Sequence, residues 1–399
     1  MDTSSLPILT ASLVGTGGRM RHTPEDFFVE EMPLYRPCGE GQHVYVHLEK
    51  TRLSTPRLLD HISRQLRVSP RAIGYAGLRD THAVTRQTIS IDGVDPAQVE
   101  KLDIPGVTVL SVSRHRNKLK LGHLAGNRFR LRIRDVDRRA EAAALDILAA
   151  LEKRGVPNYF GEQRFGVRAN THLLGWALLK GDATEFVRQH LGCPQANEEQ
   201  HIQQARALVD EGDYEAALRI WPHNLNAERK LLSILVNSGG DESRAVAALD
   251  KRLRRLFFSA YQSALFNRIL AQRIQSLDLL MEGDVAYIHA NGAAFVVQDP
   301  STEQPRALTF EISPSGPLFG PKALLASGVP GQMEREVLAQ TNLSLDDFHL
   351  PGLNFKGARR PLRVPLREVA VSWDDGLVLQ FQLPSGSYAT QVLREVTKQ

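Results

Sequence analysis

The chain has 399 residues and a mass of 44.4 kDa, which is enough for two domains with separate cores. Hydrophobic residues make up 42% and charged residues 24%, as in an ordinary globular protein, and no apolar run is long enough to cross a bilayer. The 49 Lys and Arg residues nearly balance the 45 Asp and Glu residues, so the net charge of +4 does not by itself require a polyanionic partner.

The first part of the chain, to about residue 135, predicts prominent strands with short helices between them. Strands are predicted at 26–32, 43–50, 85–91, 107–114 and 127–135. Short helices are predicted at 55–66 and 70–74. In the strand NRFRLRIRD (127–135), arginines alternate with apolar residues, so one face of the sheet is expected to pack on the core and the other to present a cationic surface.

The middle of the chain has a helical pattern and the end returns to strands. Helices are predicted at 137–154 and through most of 170–275, followed by a β-hairpin at 283–298 and a loop-rich span with several Gly and Pro residues. The last strands are predicted at 369–373 and 377–383, before a short helix. This return predicts one domain that is split in sequence, with the helical middle inserted into it.

Cysteine and histidine spacing argues against a metal centre or a disulfide framework. Cys38 and Cys193 form no CxxC pair, and His43 and His47 lie on a segment that alternates as a strand does. We therefore expect no bound metal. A cytoplasmic location is the default expectation, since the N-terminus lacks a convincing signal peptide.

The segment GYAGLRDTHAVTRQTIS (74–90) carries the strongest candidate for chemistry, Asp80. Gly74 and Gly77 are expected to let the backbone turn tightly and come close to a ligand. The adjacent cation Arg79 favours an ionised carboxylate, which can act as a nucleophile or a base. The alternative is an ordinary aspartate in a solvated turn.

Further segments combine aromatic, amide, glycine and basic residues at close spacing. They lie at 21–31, 122–129 and 157–166. The run NYFGEQRFG (158–166) looks like a poor core and a good contact surface for splayed RNA, because rings can stack on bases and amides can read base edges. Clusters of basic residues flank these motifs and suggest a surface that follows phosphates.

Several blocks resemble, in the same order, those of the TruD family of RNA pseudouridine synthases. They are PEDFFVEE, GEGQHVYVHLEK, AGLRDTHAVTRQ, HLAGNRFRLRIRD, VPNYFGEQRFG, YQSALFNRIL and LPSGSYATQVLREV. The resemblance implies an α+β fold in which a catalytic domain with a mixed, largely antiparallel sheet is discontinuous, at 1–157 and 353–399. A large inserted α+β domain, the TRUD domain, is then expected at 158–352.

The resemblance also implies the isomerisation of uridine to pseudouridine in tRNA, at position 13 of the D arm. The family's catalytic aspartate falls on Asp80, and its substrate-contacting positions fall on Phe27, Asn127, Phe129 and Tyr388. The family commonly has Lys at position 79 and Phe at position 388, so this chain keeps the charge and the ring. Arg21, also a candidate for substrate binding, or Arg394 is expected to supply the cation beside Asp80.

The expected partner is a tRNA substrate. We expect no cofactor, no membrane association and no required protein partner, and we expect the enzyme to be a monomer. Two mechanisms stay open, in which Asp80 is either a nucleophile or the base that gives a glycal. A non-catalytic RNA-binding protein would share the basic and aromatic motifs, but it gives no reason for Asp80 to lie among them. A metal-dependent nuclease fits less well, because no acidic cluster has suitable spacing.

Overall fold

A computed structural model describes Thr3, residues 5–350 and residues 352–399. The chain divides into two compact units. The first, which we call the sheet unit, comprises Ile8–Val156 and Val364–Gln399. The second, which we call the helical unit, comprises Pro157–Arg363 and the described residues before Ile8.

The strands are numbered in chain order. They are β1 (Arg19–Met20), β2 (Phe27–Pro33), β3 (His43–Thr51), β4 (Ile73–Tyr75), β5 (Val84–Asp92), β6 (Val107–His115), β7 (Leu124–Arg134), β8 (Val156–Pro157), β9 (Val285–Ile288), β10 (Ala294–Val296), β11 (Ile312–Leu318), β12 (Ala358–Pro361), β13 (Arg363–Val364), β14 (Arg367–Trp373) and β15 (Leu377–Pro384). The predicted strands of the first 135 residues and of the chain end are confirmed, with bounds that differ by three residues or fewer.

The α-helices follow the same rule. They are α1 (Thr55–Leu66), α2 (Pro96–Glu100), α3 (Ala140–Arg154), α4 (Thr171–Lys180), α5 (Ala183–Leu191), α6 (Gln200–Asp210), α7 (Tyr214–Ile220), α8 (Asn226–Asn237), α9 (Glu242–Ala247), α10 (Lys251–Arg273), α11 (Pro300–Leu308), α12 (Gly328–Ala339) and α13 (Ala389–Thr397). In the part of the chain that the structure describes, we find no helix with the length and apolarity needed to span a bilayer.

One mixed sheet organises the sheet unit. Its strand order is β14-β15-β7-β2-β5-β3-β6, with β1 added beside β7 and β4 beside β5. The β2–β5 pair is parallel, and the neighbouring pairs β2–β7, β3–β5 and β7–β15 are antiparallel. Strands from both ends of the chain therefore share one sheet, and the α+β fold class is confirmed.

The two faces of this sheet differ in character. Because facing residues on paired strands point to the same side, the register places Phe27, Glu31, Lys50, Asn127 and Phe129 on one face, which we call the inner face. Helix α1 covers part of it through Leu58 and Ile62, which pack against buried valine, leucine and isoleucine side chains of β3 and β5. The opposite side, the outer face, carries the arginines of β7.

The helical unit has its own cores. Buried side chains of α4 to α10, among them Phe186, Trp221 and Leu232, form one cluster. A second cluster joins Phe258 and Leu265 of α10 to a group of aromatic and leucine side chains between positions 319 and 353. A small sheet of order β10-β9-β11-β12 completes the unit, and its β9–β10 pair confirms the predicted hairpin.

Two predictions of secondary structure were wrong. The segment 70–74 forms only a 3₁₀ turn, Pro70–Ala72, and then enters β4, which pairs with β5. The span after position 298, expected to be loops, contains α11, β11 and α12. Glycine and proline suggested loops there, but Asp299 caps α11 by accepting a hydrogen bond from Ser301 N at 2.9 Å. Pro300 and Pro330 lie in the first turns of α11 and α12, where proline is tolerated, whereas Pro305 lies inside α11.

Candidate active site

Asp80 lies in the loop 76–83 between β4 and β5, and the residue before it anchors this loop. Arg79 N donates to Thr55 Oγ1 at 3.0 Å. The Arg79 guanidinium donates to Glu31 Oε1 from Nε at 2.9 Å and from Nη2 at 2.6 Å. Glu31 also accepts from Thr88 N at 2.9 Å. The loop is therefore fixed to the inner face by a buried ion pair.

Arg21, which is distant in sequence, provides a cation beside Asp80, whereas the neighbouring Arg79 does not. Arg21 Nη2 lies 3.3 Å from Asp80 Oδ2, and about a third of each side chain is exposed. The expectation that Arg79 supplies the adjacent charge needs correction, since its guanidinium binds Glu31. Arg21 adopts a left-handed backbone conformation, with φ of 55°. Its placement agrees with its prediction as a candidate cation.

Two of the predicted aromatic residues, Phe27 and Phe129, extend from this ion pair. The Arg21 guanidinium stands 4.1 Å from the centre of the Phe27 ring, close enough for a cation–π interaction. Phe27 meets the edge of Phe129, with ring centres 6.5 Å apart at 73°. Both rings are buried, with 4% and 5% exposure. Contacts therefore run continuously from Asp80 through Arg21 and Phe27 to Phe129.

Asn127 lies on the same strand face as Phe129, two residues earlier on β7. The register places it between Glu31 of β2 and Leu383 of β15. It is 6% exposed, and its Oδ1 has no hydrogen-bond partner among the residues that the structure describes. A buried carbonyl oxygen without a partner carries a desolvation penalty, so the position is suited to accept a hydrogen bond from a ligand.

Tyr388 enters from the C-terminal segment. It is the half-buried N-cap residue of α13, with an extended backbone at φ of −115° and ψ of 120°. The preceding strand β15 ends at Pro384, which faces Gly126 of β7. Tyr388 therefore lies four residues beyond the end of β15, and this strand end is paired with the residue next to Asn127.

One residue near Asp80 was missed by sequence reasoning. Lys50, at 1% exposure, donates from Nζ to the main-chain oxygens of Leu53 at 2.6 Å and Asp80 at 3.2 Å. Burial lowers its pKa to about 8, helped by the positive charge of Arg79 and opposed by Asp80 and Glu31. The alternation of HVYVHLEK places this lysine on the apolar face of β3, and this pattern could have predicted that Lys50 is buried.

The outer face carries a separate cavity of about 730 Å³. Tyr35 forms part of its wall, and its hydroxyl lies 2.8 Å from His123 Nδ1 and 3.2 Å from the Tyr45 hydroxyl. His47 also lines the cavity, and its pKa is lowered mainly by burial. Because the cavity opens on the side of the sheet opposite to Phe27 and Phe129, it is distinct from the Asp80 site.

The arginine row of β7 is not the free cationic surface that was predicted. Its alternation with buried Phe129, Leu131 and Ile133 is confirmed, but each arginine is paired with carboxylates. The pairs are Arg128 with Glu30 and Glu368, Arg130 with Asp374, Arg132 with Asp26 and Asp374, and Arg134 with Asp26 and Asp375. These acids come from distant positions, so the strand sequence alone could not reveal them.

The aromatic run NYFGEQRFG, expected to form a contact surface, belongs instead to the core of the helical unit. Tyr159, Phe160 and Phe165 are each at most 5% exposed. Phe160 N donates to Asn267 Oδ1 at 2.9 Å, and the Asn267 amide donates back to Phe160 O at 2.9 Å. The buried Asn267 amide thus satisfies the backbone N–H and C=O of Phe160, so this residue can lie in the core without an unpaired polar group.

Comparison with known proteins gives consistent results. The family model described as tRNA pseudouridine synthase D (TruD) matches residues 5–396. A tRNA pseudouridine synthase D from Geobacter metallireducens is 50% identical over 98% of this chain and 97% of its own length, and that from Geotalea daltonii is 46% identical over 98% and 99%. A crystal structure assigned to tRNA pseudouridine synthase D from Methanosarcina mazei has 31% identity and a TM-score of 0.85, over 99% of this chain and 97% of that one.

These matches extend over nearly the whole chain and both units, and they define the protein as an isomerase. More particularly, the chain belongs to the tRNA pseudouridine synthase D (TruD) family. The predicted family relationship is therefore confirmed.

Proposed function

We propose that the protein isomerises uridine to pseudouridine at position 13 in the D arm of tRNA, with Asp80 as the catalytic carboxylate. The observation that carries this proposal is the continuous set of contacts from Asp80 through Arg21 and Phe27 to Phe129. It combines an accessible carboxylate, a compensating cation and aromatic rings within one unit. Membership of the TruD family supports the reaction class.

The reaction breaks the bond between C1′ of the ribose and N1 of the uracil, turns the base, and joins C1′ to C5. C5 then loses its proton and N1 takes one up, so the product is an isomer of uridine and no oxidant or reductant is needed. The target base cannot react while it is stacked, and it must be flipped into a pocket. A flipped uracil has a flat face for an aromatic contact and an N3–H group that can donate a hydrogen bond.

The roles of the residues follow from these demands. Asn127 Oδ1, buried and without a described partner, is suited to accept the uracil N3–H. Phe129 and Phe27 supply the aromatic wall, and Tyr388 contributes a further ring and a hydroxyl. Arg21 compensates the negative charge of Asp80 before the substrate arrives. These assignments transfer the family's contact positions to this chain.

Asp80 acts on the substrate in one of two ways. As a nucleophile it attacks the sugar or the base and forms a covalent intermediate. As a base it removes a sugar proton and gives a glycal, from which the C–C bond then forms. Both routes need an ionised carboxylate close to the ribose, and both need Asp80 to be partly accessible, as its 35% exposed side chain is.

We further propose that the catalytic domain spans 1–157 and 353–399 and the inserted TRUD domain 158–352. The enzyme is proposed to act in the cytoplasm as a monomer, without a cofactor or a protein partner. In this view the sheet unit, which contains Asp80 and all its predicted contact residues, carries the chemistry.

The test is incubation of the purified protein with unmodified tRNA that carries tritium at uracil C5, without added metal. Isomerisation releases the label, and sequencing then maps the pseudouridine. A tRNA with cytidine at position 13 is the control and should release nothing. Strand cleavage would instead favour a nuclease, and tight binding without tritium release would favour an RNA-binding protein.

A further inference from the structure

Lys50 is an unusual residue for its position. It lies near the end of β3 on the inner face, where Val44, Val46 and Leu48 precede it in alternation. Lysine is rarely buried to this degree, because its ammonium loses its hydration. Its 1% exposure therefore calls for a compensating interaction.

Two main-chain carbonyls provide that interaction. Lys50 Nζ donates to Leu53 O at 2.6 Å and to Asp80 O at 3.2 Å. One bond thus holds the segment that leads into α1, and the other holds the backbone of Asp80 itself. Hydrogen bonds from an ammonium are roughly twice as strong as those between neutral groups.

We propose that Lys50 is a positioning residue, whose ammonium ties the main-chain carbonyl of Asp80 to the end of β3 and so sets where the Asp80 carboxylate stands. Arg79 anchors the loop one residue earlier, through Glu31 and Thr55. Lys50 anchors it at Asp80. The inference rests on the proposed function in which Asp80 is catalytic.

The charges around Lys50 define how it responds to pH. Arg79 and Asp80 face it from the loop and Glu31 from β2, while its strand neighbours Thr85 and Val107 do not titrate. Burial is the largest influence and lowers the pKa to about 8. As the pH rises through this value the ammonium becomes an amine, whose hydrogen bond to Asp80 is weaker. Catalysis should then fall while tRNA binding persists.

The variant Lys50→Met keeps the unbranched stem of the side chain and removes its charge and donors. We expect kcat to fall by about 100-fold, the cost of displacing a reacting group by about 1 Å, with little change in KM. Above pH 8 the wild-type kcat should decline as Lys50 loses its proton, and the variant should lack the decline that Lys50 causes. Titration of uracil affects both enzymes equally, so the difference between the two profiles reports Lys50.

Lys101→Met removes an exposed lysine of the same unit and is the matched control, with kcat and pH profile unchanged. A Lys50→Met enzyme with wild-type kcat and the same alkaline decline would overturn the proposal. If this variant does not fold, as judged by circular dichroism, the wild-type profile can still overturn the proposal. A kcat that shows no decline between pH 7 and pH 9 would contradict the role of Lys50.

The outcome separates this inference from the proposed function. If Asp80→Asn is inactive and Lys50→Met behaves as wild type, only the role of Lys50 fails. If Asp80→Asn forms pseudouridine at a normal rate, the catalytic role of Asp80 fails, whatever Lys50 does.

Discussion

The residues that hold Asp80 are more deeply buried than Asp80 itself. The side chains of Arg79 and Glu31 are 10% and 2% exposed, whereas that of Asp80 is 35% exposed. A buried ion pair adds little net stability compared with an apolar pair, but removal of one partner leaves an uncompensated charge. The anchoring of the loop should therefore be sensitive to loss of either charge.

Arg79→Met should lower the free energy of unfolding by about 3–5 kcal/mol, because Glu31 would be left buried without its cation. Urea denaturation measures this change. The control is Arg64→Met, which breaks the exposed pair with Asp60 and should cost less than about 1 kcal/mol. Equal losses in the two variants would show that the Arg79–Glu31 pair does not anchor the loop.

The burial of Lys50 should also make the stability of the protein depend on pH. Its folded pKa of about 8 lies below the ordinary value of 10.5, so between these values the unfolded chain binds more protons. The free energy of unfolding should therefore rise with pH across this window, by on the order of 3 kcal/mol from Lys50 alone. Denaturation of wild type and Lys50→Met at pH 7 and pH 10 measures it: the variant should lack this rise, and parallel pH dependences would contradict the assignment.

At this scale the sequence predicted Asp80 and its contact Arg21, but not the residues that anchor its loop. The motif and the family resemblance single out the carboxylate, and Arg21 was a named candidate for its cation. The partner of Arg79 could not be read from the sequence, since Glu31 lies 48 positions away and meets it only when β2 and the loop are side by side. The local sequence favoured an ion pair between the neighbours Arg79 and Asp80, whereas in the structure Arg79 pairs with Glu31.

Among the structural elements, the segment around the Asp80 loop shows how two similar glycines differ. A Cβ on Gly74 would lie less than 3.0 Å from the carbonyl oxygen of Leu119, so Gly74 permits a close approach within β4. A Cβ on Gly77 would meet only Arg79 Nη2 at 3.7 Å, an ordinary contact. The predicted role of Gly74 as a turn glycine is corrected, because it lies in a strand, whereas Gly77 lies in the loop as expected.

Gly74→Ala should therefore destabilise the protein by about 1–3 kcal/mol, the usual cost of overpacking, because the Leu119 backbone would have to move. Gly77→Ala is its matched control in the adjacent loop and should be neutral within about 0.5 kcal/mol. Thermal unfolding of both variants measures the difference. A reversed order would show that the loop conformation, rather than the close approach, requires glycine.

Strands with clear alternation were predicted well, and elements set by distant contacts were not. The apolar face of β7 follows from its own sequence, but the acids that neutralise its arginines come from β2 and the residue before it, and from β14 and the turn after it. Helices α11 and α12 were missed because their glycines and prolines resemble loop signals, whereas caps and packing in the helical unit decide their structure.

At the scale of the whole molecule, the sheet unit and the helical unit have separate cores. The change from strand to helix patterns along the sequence predicted this division into two units. The predicted catalytic and inserted domains, 1–157 with 353–399 and 158–352, remain a prediction about function. Asp80, its contacts Arg21 and Lys50, and the Phe27 ring beside Arg21 all belong to the sheet unit.

The fragment 157–363 should fold on its own, since it contains the buried clusters of the helical unit. We expect a helical circular dichroism spectrum, a cooperative thermal transition and no tritium release from labelled tRNA. Tritium release by the fragment would refute the assignment of chemistry to the sheet unit. A fragment without a cooperative transition would show that its cores depend on the rest of the chain.

The central claim is that Asp80 performs the chemistry, and Asp80→Asn tests it most directly because it keeps the shape and removes the charge. The measurement is single-turnover release of C5 tritium from tRNA, with tRNA affinity measured beside it. The rate should fall by at least about 100-fold while affinity stays close to wild type. A variant that forms pseudouridine at a near-normal rate would contradict the claim.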